Sequence, residues 1–152
     1  MAIKKTVSPM PHNIALLGQL EAALFDALDE AEAAGLGTEA GRDAFRRAMA
    51  SLDTTVESRT EHLYAPLASD PLTRDYVSHL DGQLNGLTTR IDVLRAHIEL
   101  GLETGSREIA RLDASLSRLA RQLKVRFSRE SALIPVYFGW CDRHPGDALA
   151  SA

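Results

Sequence analysis

The sequence predicts an all-α protein, an antiparallel up-down-up-down four-helix bundle, and three observations carry that prediction. Four long segments place apolar residues three and four apart. Short breaks rich in Gly or Pro separate those segments. Aromatic residues make up only 5% of the 152-residue chain, and much of its apolar mass is Ala and Leu, which favours helix over strand. Helices of roughly 25–30 residues, each about 40 Å long at 1.5 Å per residue, would be well-matched partners in such a bundle.

The first segment opens after Ser8-Pro9-Met10-Pro11 and runs to about Ala34, with Leu16, Leu17, Leu20, Ala23, Leu24, Ala27 and Leu28 as its stripe. Gly35-Leu36-Gly37 stops it, and Thr38 is placed to cap the next helix. That second helix carries Phe45, Ala48, Met49, Leu52, Val56, Leu63 and Leu67, with Pro66 expected to kink or end it. Asp70 and Pro71 read as N-cap and first position of the third helix, whose stripe runs Tyr76, Val77, Leu80, Leu84, Leu87, Ile91, Leu94 and Ile98. After Gly101–Gly105 the fourth stripe is Ile109, Leu112, Leu116, Leu119, Leu123, Phe127 and Ile134, closed by Pro135. The expected organisation is an N-terminal arm over 1–9, a bundle over 10–138 and a fraying Gly-, Pro- and Ala-rich tail over 139–152.

The balance of 17 Lys+Arg against 21 Asp+Glu gives a net charge of -4. That argues against nucleic acid as a main partner, since phosphate backbones need clustered cations. The single cysteine, Cys141, excludes an internal disulfide framework and fits a reducing, cytoplasmic setting. No apolar run approaches the roughly 18–20 residues that span a bilayer, so no membrane partner is expected. Phosphate-loop, Cys-x-x-Cys, His-Glu-x-x-His and Gly-x-Ser-x-Gly patterns are missing. No nucleophile with a base can be assigned from spacing, so the reading leans away from an enzyme. The apolar Phe25, Leu133, Tyr137 and Trp140 lie off the stripes and read as a candidate homodimer or protein-partner surface.

What chemistry remains lies in His and Glu residues spread over the four helices: His12, Glu57, Glu61, His79 and Glu130. Inward-facing imidazoles and carboxylates are the usual way a bundle holds one or two metal ions. Two Pro-terminated segments, Glu57-Ser58-Arg59-Thr60-Glu61-His62-Leu63-Tyr64-Ala65-Pro66-Leu67 and Arg126-Phe127-Ser128-Arg129-Glu130-Ser131-Ala132-Leu133-Ile134-Pro135, resemble the repeated motif of hemerythrin-like (HHE cation-binding) domains. The family also places a histidine early in helix one and another in helix three, where this chain has His12 and His79. The resemblance covers about residues 10–138. It implies non-haem iron, one or two ions, and a small diatomic ligand, iron storage or redox sensing as the role.

The departures define the alternative. Where the family has a histidine four residues before each glutamate, this chain has Glu57 and Arg126. Carried over residue by residue, His12, Glu57, Glu61 and Glu130 would surround one metal, while the second position keeps only His79. Arg126 cannot ligate and is always charged; it reads as a cation standing in for a cation, paired with Glu61 and Glu130. Each proline also lies five residues after its glutamate, one short of the family's spacing. Anchoring on the prolines puts Val56, Thr60, Val125 and Arg129 at the ligand positions, and none is a good ligand. At about 100° per residue, Glu57 and Glu61 fall off the apolar face and His12 and His79 flank theirs, whereas Glu130 lies squarely on its stripe. A buried carboxylate needs a metal or a cation. The reading therefore stays two-fold: a reduced or remodelled metal site, or a metal-free bundle for protein interaction or signalling, with Arg126 replacing a metal charge.

Overall fold

The computed structural model describes residues 12–99 and 105–144, apart from the side chains of residues 12, 13, 81 and 83–85. The chain is all-α, and no strand occurs among the described residues. Helix α1 spans His12–Ala34, α2 Glu39–Arg59 and α4 Arg74–Glu99. Between α2 and α4 lie a π-helical turn, Thr60–Tyr64, and the single turn α3, Ala65–Ala68. Helix α5 spans Ser106–Ser131 and α6 Leu133–Arg143. No described helix is long and apolar enough to cross a membrane.

The corner between α1 and α2 follows from its glycines. Gly35 ends α1 at φ 81, the left-handed conformation a helix C-terminus favours for glycine. Gly41 is confined by a close approach, since a Cβ there would lie 1.7 Å from the Gly35 carbonyl oxygen. Thr38 caps α2 as the sequence predicts, its Oγ1 accepting from the Gly41 N–H at 2.9 Å. Asp113 on α5 ties the corner down by accepting from the Leu36 N–H at 2.8 Å.

Other boundaries differ from the sequence reading. Helix α4 begins at Arg74 rather than Pro71, because residues 70–73 form a turn. Asp70 Oδ1 there accepts from the Leu72 N–H at 2.9 Å, and its other oxygen pairs with Arg143. Asp70 is buried by that pairing, so it joins two ends of the fold instead of capping a helix. The expected tail also starts too early. Pro135, which has no N–H to give and crowds the carbonyl of residue 131, only interrupts the chain at Ala132, and α6 then continues to Arg143. Residues 145–152 of the expected tail, and the arm over 1–9, lie outside the described residues.

The core comes in two parts. The larger gathers Leu24, Leu28, Phe45, Met49, Ile91, Leu94, Leu116, Leu123 and Phe127 from α1, α2, α4 and α5. The smaller gathers Ile14 and Leu17 from the start of α1, Leu63, Tyr64 and Leu67 around the π turn and α3, Val77 and Leu80 from α4, and Leu133, Tyr137 and Trp140 from the last turns. Full burial of one Leu or Phe side chain contributes about 1.5–3 kcal/mol, so the second part is a substantial stabiliser of α6. This overturns the reading of Leu133, Tyr137 and Trp140 as a partner surface: all three are buried within the chain. Phe25 is half-buried, edge-on to Phe127 with ring centroids 5.8 Å apart.

Candidate functional site

Between the two core parts lies a layer of buried charge. Arg59, the last residue of α2, continues the inward stripe of Leu52, Val56 and Leu63, and is buried there. Arg126 and Glu130 stand one turn apart on the inward face of α5, and both are buried. Tyr64 closes the π turn that begins at Thr60. Inserting a five-residue turn after Arg59 shifts the helical register by about one residue, so that Arg59 and Tyr64 reach the same carboxylate.

That carboxylate is Glu130, 1% exposed. Arg59 Nη1 donates to its Oε2 at 2.8 Å, and Arg126 Nε donates to its Oε1 at 2.8 Å. The Tyr64 hydroxyl donates to Oε1 in a short hydrogen bond and accepts from Arg126 Nη2 at 3.0 Å. Arg59 reaches further with Nη2, which donates to Glu21 on α1 at 3.0 Å. Its guanidinium also sits 4.3 Å over the Phe127 ring, a cation–π contact between two buried side chains. Two guanidiniums are thus balanced by one buried and one half-buried carboxylate. Burial pushes the Tyr64 phenol well above the usual tyrosine range; the Glu130 charge and hydrogen bond raise it further, and Arg126 offsets part of this. Two donors in the network, Arg59 Nε and Arg126 Nη1, have no hydrogen-bond partner among the described residues.

A cavity of about 310 Å³ adjoins the network between α2, α4 and α5. Leu52, Val56, Ile91, Leu123 and Phe127 give it apolar walls, with Arg59, Tyr64 and Glu130 at its polar side. Asp53 also lines it, held by two bonds from Arg95 at 3.1 and 2.9 Å.

The sequence-derived metal candidates are distributed unevenly about this centre. Glu130 is its hub. Glu57 lines the cavity but is exposed. The Glu61 side chain is 72% exposed, and its nearest ion-pair contact is His62 Nε2 at 3.9 Å. His79 is exposed on α4, and the side chain of His12 at the start of α1 lies outside the described residues. Arg126 pairs with Glu130 as the sequence suggests, but Glu61 does not join it; the partners of Arg126 are Glu130 and Tyr64. Among the described residues no group of three or more His, Cys, Asp or Glu is placed to hold a metal ion. The oxygens of Glu130 are already bonded by two cations of the protein itself. A metal ion there would have to displace or repel fixed guanidiniums, so this donor set fits a di-metal centre poorly.

Arg59 and Tyr64 are the members of the centre that motif reading passes over. Arg59 had a signal: it lies three after Val56 and four before Leu63, so it stands on the apolar stripe. No family model matches the chain, and comparison with curated proteins and with solved structures yields no match either.

Proposed function

We propose that the chain is an up-down-up-down four-helix bundle whose interior charge centre is filled by its own arginines, and that it serves as a metal-independent interaction or signalling module. One observation carries this reading: both oxygens of Glu130 are bonded by Arg59 and Arg126, which supply the positive charge a bundle of hemerythrin-like design takes from iron. A cation built into the chain needs no loading and no redox cycle, so the centre fixes helix register instead of carrying a ligand. The lone thiol suits a cytoplasmic setting.

The rival reading is a hemerythrin-like iron module with a single remodelled site, supported by the presence of both Glu57 and Glu130 along one cavity. Elemental analysis, an absorption spectrum and melting curves with ferrous iron or a chelator separate the two. The interaction module contains substoichiometric iron, shows no absorption from a bridged di-iron centre, and melts at the same temperature with and without chelator. Iron bound in at least equimolar amount, with a melting temperature that falls on chelation, would establish the metal module instead.

A further inference from the structure

On the outside of α4 and α5 the charge balance of the chain reverses. Helix α5 has seven Lys and Arg against three Asp and Glu, while α1 has five Asp and Glu and no Lys or Arg. The excess on α5 is not spread evenly. Arg90 from α4 and Arg118, Arg121, Arg126 and Arg129 from α5 line one open groove of about 410 Å³, and among the described residues no carboxylate lines it. Arg90, Arg118, Arg121 and Arg129 are exposed and form no ion pair among the described residues. Like charges gathered in one groove repel one another, and an anion joining them relieves that repulsion.

Arg126 gives a second, independent pointer. It is only 5% exposed. Its Nε and Nη2 are committed to Glu130 and Tyr64, yet among the described residues its Nη1 has no hydrogen-bond partner. A buried donor left unbonded is costly, and this one belongs to a side chain that lines the arginine groove.

We propose that this groove binds an oligophosphate, a short chain of linked phosphate groups, with Arg126 as its innermost donor and Arg90, Arg118, Arg121 and Arg129 around it. The planar guanidinium fork matches phosphate oxygens two at a time, which makes arginine the suited residue for such an anion. The track also continues. A second depression of about 440 Å³ shares Arg90 and Arg118 with the first and adds His97 and Arg111, the latter 4.0 Å from the Glu108 carboxylate that also lines it. Arg111 and Arg129 are about 27 Å apart along α5 at 1.5 Å per residue, so several phosphates in a row can be met. Among the described residues neither depression has an aromatic side chain in its lining, which removes the stacking surface that single-stranded nucleic acid uses. Among the described residues of the five-arginine groove Leu87 and Val125 are the only large apolar side chains, too few to seat the anchors of a peptide.

The test is calorimetric titration of the full chain with sodium tripolyphosphate, beside sodium sulfate at matched ionic strength and a single-stranded oligonucleotide. The expected result is saturable tripolyphosphate binding at least tenfold tighter than sulfate, weakening as salt rises. The double variant Arg118→Gln/Arg129→Gln should lose at least tenfold in affinity with an unchanged melting temperature, since neither residue belongs to the Glu130 network. Arg47→Gln, at an exposed arginine of α2 that pairs with Glu30 on α1 and lines neither depression, should bind as the parent does. Three results would overturn the proposal: no saturable tripolyphosphate binding, equal losses in the Arg47 control, or tighter binding of the oligonucleotide at equal charge. All three arms are read without reference to metal, so failure here leaves the reading of the Glu130 centre untouched.

Discussion

Two segments of this chain have the same outline, a glutamate followed five residues later by a proline, and they end in opposite environments. At Glu61 and Pro66 the backbone passes through the π turn Thr60–Tyr64, and Glu61 faces water. At Glu130 and Pro135 the helix stays regular through Ser131 and breaks only at Ala132, and Glu130 is buried. A proline removes one N–H and crowds the carbonyl four residues back, but the chain has two remedies: widen the turn before it, or stop and restart. Which remedy is used decides what faces inward. The widened turn brings Tyr64 toward the centre and leaves Glu61 outside; the restart keeps Glu130 on its stripe and folds α6 onto the second part of the core.

The largest break in this comparison should come from Glu130→Ala set beside Glu61→Ala. The first leaves two buried guanidiniums without their shared carboxylate and should cost about 3–5 kcal/mol; the second removes an exposed carboxylate and should stay within about 0.5 kcal/mol. Urea unfolding of both variants measures the difference, and equal losses would show that the two glutamates are equivalent after all. A smaller effect is expected for Tyr64→Phe, which deletes the hydroxyl between Glu130 and Arg126 and should cost about 1–3 kcal/mol on the same assay. Replacing Arg59, Arg126 and Glu130 together by Leu or Met should leave stability at the parent's level or raise it by about 1–4 kcal/mol, because a buried ion network seldom outperforms apolar packing. A triple variant that fails to fold would mean that the charges specify the arrangement of the helices.

The smallest expected effect is at high pH. The folded state holds the Tyr64 phenol protonated to higher pH than the unfolded chain does. The folded state therefore binds more protons above the ordinary tyrosine value of about 10, and stability falls as pH rises past that point. Tyr64→Phe should flatten this alkaline limb in melting curves recorded between pH 9 and about 11, whatever it does to stability at neutral pH.

Much of this was legible in the sequence. The three-and-four spacing marked the long helices, and a carboxylate standing on the stripe between Phe127 and Ile134 marked Glu130 as needing a cation. Arg126, one turn before it, is that cation in part. The rest was hidden for identifiable reasons. Arg59 occupies a core position on α2, but a charged residue on a stripe reads as a gap until its partner on another helix is known. The π turn has no composition of its own; only the arrangement of Arg59 and Tyr64 around one carboxylate reveals it. Asp70 looked like a cap because Asp-Pro commonly starts helices, and its long-range pairing with Arg143 is a tertiary fact. The apolar residues after Pro135 looked like surplus because their stripe belongs to α6, which the proline separates from the periodicity of α5.

The single tryptophan of the chain lies in the smaller part of the core, stacked between Tyr137 and His144 at centroid distances of 5.9 and 4.8 Å. Indole emission from this protein is therefore a local gauge of one end of the molecule, whereas far-ultraviolet dichroism sums over every helix. If the charged layer is what couples the two ends, the optical transitions coincide while it is intact and separate once Glu130 is removed, with fluorescence changing first as α6 lifts away.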